Sequence, residues 1–230
     1  MIICHKYKFI FFKTNKTAGT SIEIGLSKFC DEYDVITPIS EKDELLRIDF
    51  GGRGPQNCYH HLSKYNIKNW FRSSKKKKDL KFYNHMPANE VKALISKDIW
   101  DSYFKFCFVR NPWDAVISLY HWKYRNRKKP SLSESIKKDA HLLKEKGHDI
   151  YKINGEVVVD KIYKYENLEI ALKDISNKLK LPTMLDIPRA KSKHRSDNSN
   201  YTEILTDNDK IFIQNTFKKE IERFEYTFKH

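Results

Sequence analysis

Lys13-Thr14-Asn15-Lys16-Thr17-Ala18-Gly19-Thr20-Ser21 stands between an apolar run, Tyr7 to Phe12, and an amphipathic one, Ile22 to Phe29. The first run predicts a buried strand and the second a helix, so the stretch is a short strand-to-helix loop of small, hydroxyl and lysine residues. The first amides of a helix have no partner within it and face one point, which makes such a loop a cradle for an anion of the phosphate or sulfate type. Two lysines, Lys13 and Lys16, add charge, and Gly19 is expected to let the backbone approach the anion with no Cβ in the way. A solvated, lysine-bearing turn is the plainer reading of the same residues.

Residue order restricts the anion carrier. The nucleoside triphosphate loop reads G-x-x-x-x-G-K-(S/T), with lysine directly after the last glycine. Here Lys16 comes three residues before Gly19, and Thr20 and Ser21 follow. Lys16-Thr17-Ala18-Gly19-Thr20-Ser21 resembles the 5′-phosphosulfate loop, P-K-T-(G/A)-(G/S)-T-S, of the sulfotransferases that use 3′-phosphoadenosine 5′-phosphosulfate (PAPS); Asn15 stands where that family often has proline. The resemblance implies that Lys13, Lys16, Thr17, Ala18, Gly19, Thr20 and Ser21 bind the donor, with no metal.

A second segment points the same way. Tyr103 to Val109 reads as a buried strand and ends at Arg110-Asn111-Pro112-Trp113-Asp114. Pro112 suits the first position of a helix, where its missing N–H would be unpaired anyway. That helix carries Ser118 eight residues beyond Arg110, about two turns up. The segment is similar to the family's 3′-phosphate-binding pattern, F-x-x-R-(N/D)-P-x-(D/E)-x-x-x-S-x-Y, which implies that Arg110 and Ser118 are 3′-phosphate ligands. Guanidinium offers phosphate a planar fork of donors. An ordinary ion pair at a strand end is the alternative for Arg110.

With 230 residues, one domain is expected over residues 1–230. No apolar run approaches the roughly 18 residues of a membrane span, and the aromatic start lacks a signal-peptide cleavage site, so the expected setting is cytoplasmic. Cys4, Cys30, Cys58 and Cys107 are scattered, which argues against a zinc site and a disulfide framework. The net charge of +14 calls for anionic partners. Lys75 to Lys78 and the group Lys123, Arg125, Arg127, Lys128 and Lys129 have the charge to follow a nucleic-acid backbone, but such runs are mostly solvated loops, and nucleic acid is not the expected partner.

The chain alternates strand and helix signals without internal repeats, predicting an α/β domain with a mostly parallel central sheet flanked by helices. Strands are expected at Lys8 to Lys13, Asp34 to Thr37, Lys81 to Tyr83, Tyr103 to Val109 and Val157 to Lys164. Helices are expected at Thr20 to Asp31, Ala88 to Lys97, Pro112 to Arg125, Ser133 to Lys146, Asn167 to Leu179 and Asp207 to Phe224. Glu41 to Ser74 reads as irregular, with turn residues Gly51-Gly52-Arg53-Gly54-Pro55. The resemblance implies a P-loop-like, nucleotide-triphosphate-hydrolase-like sulfotransferase fold. It extends through Val159 to Leu168, similar to D-x-(I/V)-x-(R/K)-(Y/F)-E-x-L, and through the tail, Tyr201 to Thr206 followed by a helix and Arg223 to Phe228; both look structural, with Tyr165 and Leu168 packing. Residues 38–80 and 126–155 match the family least and are expected to face the acceptor. The closest branch is that of carbohydrate sulfotransferases such as the heparan sulfate 2-O-sulfotransferases.

Sulfuryl transfer needs an activated acceptor hydroxyl, a neutralised leaving phosphate and an in-line approach. Lys16 is the expected leaving-group stabiliser, a compact charge suited to a developing oxyanion. For the base, histidine is the usual choice at neutral pH. His85, in Phe82-Tyr83-Asn84-His85-Met86-Pro87, reads as a strand end before a helix and resembles the family's G-H-x-P segment, whose histidine is the base; Asn84 replaces the glycine. His60, His61 and Glu23 compete for the role. Late in the chain, Arg189, Lys191 and Lys193 lie in a basic loop that the resemblance places over the nucleotide; a flexible lysine-rich connector is the other reading. The expected partner is a hydroxyl-bearing, anionic carbohydrate. The competing functions are a nucleotide-binding or kinase-like protein and a basic, non-catalytic binding module, the last of which predicts that the two anion-binding segments need not converge.

Overall fold

Phe9 to Phe12 alternates its side chains between two apolar layers: Ile10 and Phe12 join one core cluster, Phe9 and Phe11 the other. A strand buried on both faces in this way belongs in the middle of a layered α/β sheet. A computed structural model describes residues 1–59, 80–188 and 200–228 and puts it there. The strands are β1 (Ile2–Cys4), β2 (Phe9–Phe12), β3 (Val35–Ile36), β4 (Phe104–Val109) and β7 (Lys161–Lys164), in the order β3-β1-β2-β4-β7. β2 pairs parallel with β4, and β4 with β7, whereas β1 runs antiparallel to both β2 and β3. The sheet is therefore mixed, with parallel strands at its core, and the expected mostly parallel sheet is corrected at the β3-β1 edge.

Helices cover both faces. α1 (Gly19–Ser27) and α8 (Leu168–Lys178) supply Ile22, Leu26, Ala171 and Ile175 to the layer containing Phe106 and Phe108. The opposite layer holds Cys107 and Val109 of β4 and is covered by α3 (Ala88–Leu94), α4 (Lys97–Ser102), α5 (Pro112–Lys123) and α6 (Leu132–Asp139). Pro112 opens α5, where the Asn111 side chain accepts from the Trp113 amide.

Several expectations change. α2 (Glu41–Asp49) lies in the stretch read as irregular, its start capped by Ser40, which accepts from the Asp43 amide. Lys81 to Tyr83 is not a strand. The run from Ser133 to Lys146 divides into α6, α7 (His141–Leu143) and a π-helical turn, Lys144–His148. Val157 to Lys164 divides too: β5 (Lys152–Ile153) and β6 (Glu156–Val157) form a separate hairpin, and β7 begins only at Lys161. Both hairpin-turn residues, Asn154 and Gly155, have positive φ, as a tight two-residue turn requires. The last helical run is α9 (Tyr201–Ile204), α10 (Asp207–Thr216) and α11 (Lys218–Phe224). All four cysteines are free and buried. Among the described residues no helix is long and apolar enough to cross a membrane.

Candidate active site

The loop after β2 is tied down from three sides. Thr14 Oγ1 donates to the Phe108 carbonyl on β4 at 2.5 Å, Thr17 Oγ1 lies 2.9 Å from Thr14 Oγ1, and the Asn15 amide donates to the Lys146 carbonyl of the π-helical turn at 2.7 Å. So fixed, the backbone holds Lys16 at φ 64° and Ala18 at φ 57°. The left-handed region costs a residue with a Cβ about 1–2 kcal/mol, and strain of this kind concentrates at ligand sites. α1 starts at Ala18 with no side-chain cap, so its positive end opens on the loop.

Gly19 also has a packing task. A Cβ there would meet Lys13 Cγ at 2.7 Å and the Thr14 carbonyl at 3.3 Å. The missing side chain makes room for Lys13, on the inner side of the loop.

Lys13 itself is buried, and its Nζ donates to Glu23 Oε2 at 2.7 Å. Glu23 is also fully buried on α1 and accepts from the Met1 amino group (3.0 Å) and Thr37 Oγ1 (3.0 Å), with Arg47 Nη2 of α2 at 3.5 Å. Burial alone would raise its pKa, but the Lys13 ammonium, the amino terminus and Arg47 hold it lowered to about 2. A carboxylate so enclosed neither meets an acceptor nor takes its proton, so Glu23 is removed from the candidates for the base. Lys13 reaches into this buried network rather than out toward a ligand.

His85 and Arg110 converge on the loop from other segments. His85 Nδ1 lies 2.8 Å from the Lys13 carbonyl. A carbonyl only accepts, so Nδ1 carries the hydrogen and the neutral ring keeps its lone pair on Nε2. Burial first, then the Lys13 charge, lower the His85 pKa to about 3. His85 takes φ 61°, so the left-handed residue is His85 itself rather than Asn84 before it. Asn84 Oδ1 is buried with no hydrogen-bond partner among the described residues.

Arg110 Nη1 donates to the Lys16 carbonyl at 2.9 Å, and its Nε and Nη2 fork onto Asp114 Oδ2 at 2.7 and 2.6 Å. The Tyr165 ring stacks on the guanidinium, 4.3 Å from its centroid, so Tyr165 packs as expected. Asp114, Ser118 and Trp122 share one face of α5 at four-residue spacing. Lys16 Nζ sits over the Trp122 ring at 5.3 Å. Ser118, half-buried, therefore lies between the partner of Arg110 and that of Lys16.

The fold thus gathers residues 13–21, His85, Arg110 and Ser118, which the sequence presented as three separate segments. Arg189, Lys191, Lys193, His60 and His61 lie outside the described residues. Asp114 had no expected role, although its spacing of four from Arg110 was a usable sign. The hold of the Lys146 carbonyl on Asn15 left no sign in the sequence.

The Sulfotransferase family (Sulfotransfer_2) matches residues 1–154. An uncharacterized protein of Archaeoglobus fulgidus is 36% identical to this chain over 106 residues, which span 44% of the chain and 88% of that protein. No solved structure matches the chain. By the extent of the family match, which begins at the first strand and runs beyond both strand-to-helix junctions, the chain belongs to the Sulfotransferase family.

Proposed function

We propose that the protein transfers a sulfuryl group from PAPS to a hydroxyl of an anionic carbohydrate. The observation that carries this reading is the convergence on a single loop: the Lys13 carbonyl is bound by His85 and the Lys16 carbonyl by Arg110. A basic module with no catalytic task would not need a histidine and an arginine from distant segments fastened to carbonyls three positions apart in one loop.

The residues suit the donor. The positive end of α1 and the backbone from Lys16 to Ser21, left-handed at Lys16 and Ala18, fit a 5′-phosphosulfate, and Arg110 with Ser118 fits a 3′-phosphate. When bound, the donor supplies the activated sulfuryl group. The chain's own residues do the rest. Lys16 neutralises charge on the leaving phosphate oxygen, and its stacking on Trp122 restricts where that charge stands. His85 Nε2 takes the acceptor proton. An open groove lined by Tyr124, Lys128, Lys129, Pro130, Glu134 and Lys138 begins two residues beyond Trp122, and its lysines favour an acceptor that is itself anionic.

Lys16→Met keeps the length of the side chain and removes its charge. Turnover is expected to fall about 10²–10³-fold, the usual loss when one donor to a developing oxyanion is removed, while calorimetric affinity for 3′-phosphoadenosine 5′-phosphate stays within about tenfold. Unchanged turnover refutes the leaving-group role.

At Arg110 the expected effect is on recognition. Charge-assisted contacts contribute about 1.5–3 kcal/mol, so Arg110→Ala weakens binding of the bisphosphate by about 10–100-fold and erases the preference over adenosine 5′-phosphate. A preserved preference locates the 3′-phosphate elsewhere. The whole reading is tested by transfer of labelled sulfate from PAPS to a glycan panel; calorimetry showing no binding of 3′-phosphoadenosine 5′-phosphate by the wild type overturns it.

A further inference from the structure

Two cysteines that are 26 positions apart in the sequence meet at the end of the sheet opposite the loop. Cys4 closes β1 and pairs with Phe9, the first residue of β2, whereas the loop follows Phe12. Cys30 lies just past α1, and Asp34 just before β3. Cys4 Sγ, Cys30 Sγ and an Asp34 carboxylate oxygen all lie within 4.8 Å of one another, and all three residues are buried. We propose that Cys4, Cys30 and Asp34 form a binding site for a borderline-soft divalent cation of the zinc type, with water in the fourth position.

The donor set and its spacing carry the proposal. Zinc binds thiolate at about 2.3 Å and carboxylate at about 2.0–2.2 Å, so the edges of its tetrahedron are about 3.8 Å between sulfurs and about 3.6 Å from sulfur to oxygen. Cys4 Sγ already stands 3.1 Å from Asp34 Oδ2, and Cys30 Sγ lies within 4.8 Å of both, about 1 Å from those lengths at most. The surroundings also orient the ligands. Asp34 Oδ1 accepts from the His5 amide at 2.6 Å and Oδ2 from the Asp31 amide at 2.9 Å, while the Tyr7 amide donates to Cys4 Sγ at 3.5 Å. Such outer hydrogen bonds fix carboxylates and support charge on sulfur at metal centres.

Metal binding displaces the two thiol protons, which leave to solvent. The two buried sulfurs then pair with the cation as thiolates. About three strand residues, roughly 10 Å, separate the site from the loop end of β2. The cation accordingly fastens β1, the end of α1 and the start of β3 together and takes no part in transfer.

Cobalt(II) alone, added to the reduced full-length wild type, is the direct probe. The expected result is one equivalent bound, with tetrahedral ligand-field bands and a thiolate-to-cobalt charge-transfer band, all displaced by one equivalent of zinc(II). Zinc is also expected to raise the thermal midpoint in proportion to the logarithm of its free concentration. Cys4→Ser and Cys30→Ser should each weaken binding at least about 100-fold, and Asp34→Asn about 10–100-fold, while Cys58→Ser retains the spectrum. A wild type that stays colourless at excess cobalt overturns the proposal without any variant, and so does a charge-transfer band that survives in both folded Cys4 and Cys30 variants.

Discussion

His85→Ala is expected to lower the rate of sulfuryl transfer about 10²–10⁴-fold, the range that a positioned general base contributes, while 3′-phosphoadenosine 5′-phosphate binds with nearly unchanged affinity. The asymmetry follows from the hydrogen bonding. His85 Nδ1–H is spent on the Lys13 carbonyl, which leaves Nε2 as a fixed lone pair and assigns the ring no share in gripping the donor. Burial, and then the Lys13 charge, lower its pKa to about 3, so the ring is neutral throughout the neutral range. A base that weak removes a hydroxyl proton slowly. The anionic donor opposes the Lys13 charge, so a histidine NMR titration should show the pKa rising when the bisphosphate binds. The linkage to stability has a definite sign: the folded pKa lies below the ordinary 6.5, so the unfolded chain binds the extra proton. The contribution is complete above about pH 6.5 and declines as pH falls toward about 3, and His85→Asn should flatten that part of the stability curve. Near-normal single-turnover transfer in His85→Ala would move the base to His60 or His61, since Glu23 is enclosed.

Local chemistry made the two strand-to-helix junctions legible. An all-apolar strand followed by Lys-Thr-Asn-Lys-Thr-Ala-Gly-Thr-Ser, and a largely apolar one followed by Arg-Asn-Pro, each state their geometry within a dozen or so residues. What escaped depended on distant partners. β1 has only three residues, and its antiparallel pairing with Phe9 to Phe11 is a tertiary choice. The division of Val157 to Lys164 was readable: Asn154-Gly155 between short β-formers is a strong hairpin sign. α2 was hidden by the glycines after it, although Ser40 followed by Glu41, Asp43 and Glu44 is an ordinary helix start. Gly19 and Glu23 fall on the expected elements, but their packing partners are not legible in the sequence. Residue type and spacing suggested contact with the ligand, and only the packing shows that Gly19 admits Lys13 and that Lys13 holds Glu23.

Glu23→Gln, nearly isosteric, is expected to cost about 3–5 kcal/mol, because breaking a buried pair from one side leaves the other charge enclosed. For a chain of this size that is a fall in thermal midpoint of roughly 6–20 °C. The effect is large because the carboxylate answers the Lys13 ammonium at 2.7 Å and Arg47 at 3.5 Å, both side chains almost wholly buried. Arg47 retains Glu44, at 2.9 Å, so the larger share falls on Lys13. Lys13→Met in the Glu23→Gln background should therefore restore part of the loss, and a double-mutant cycle should give a coupling well beyond the few tenths expected of independent sites. Acid provides a second check. The folded pKa of about 2 lies below the ordinary 4.5, so the stabilisation is complete above about pH 4.5 and is lost as pH falls through about 2. Wild type and Glu23→Gln should differ most above pH 4.5 and converge in acid, whereas a constant gap would mean that shape rather than charge is at stake. The variant also reaches the chemistry, because Lys13 carries the carbonyl that fixes the His85 ring. Folded Glu23→Gln is expected to lose turnover more than it loses bisphosphate affinity, and Lys13→Met should recover stability without recovering all of that turnover.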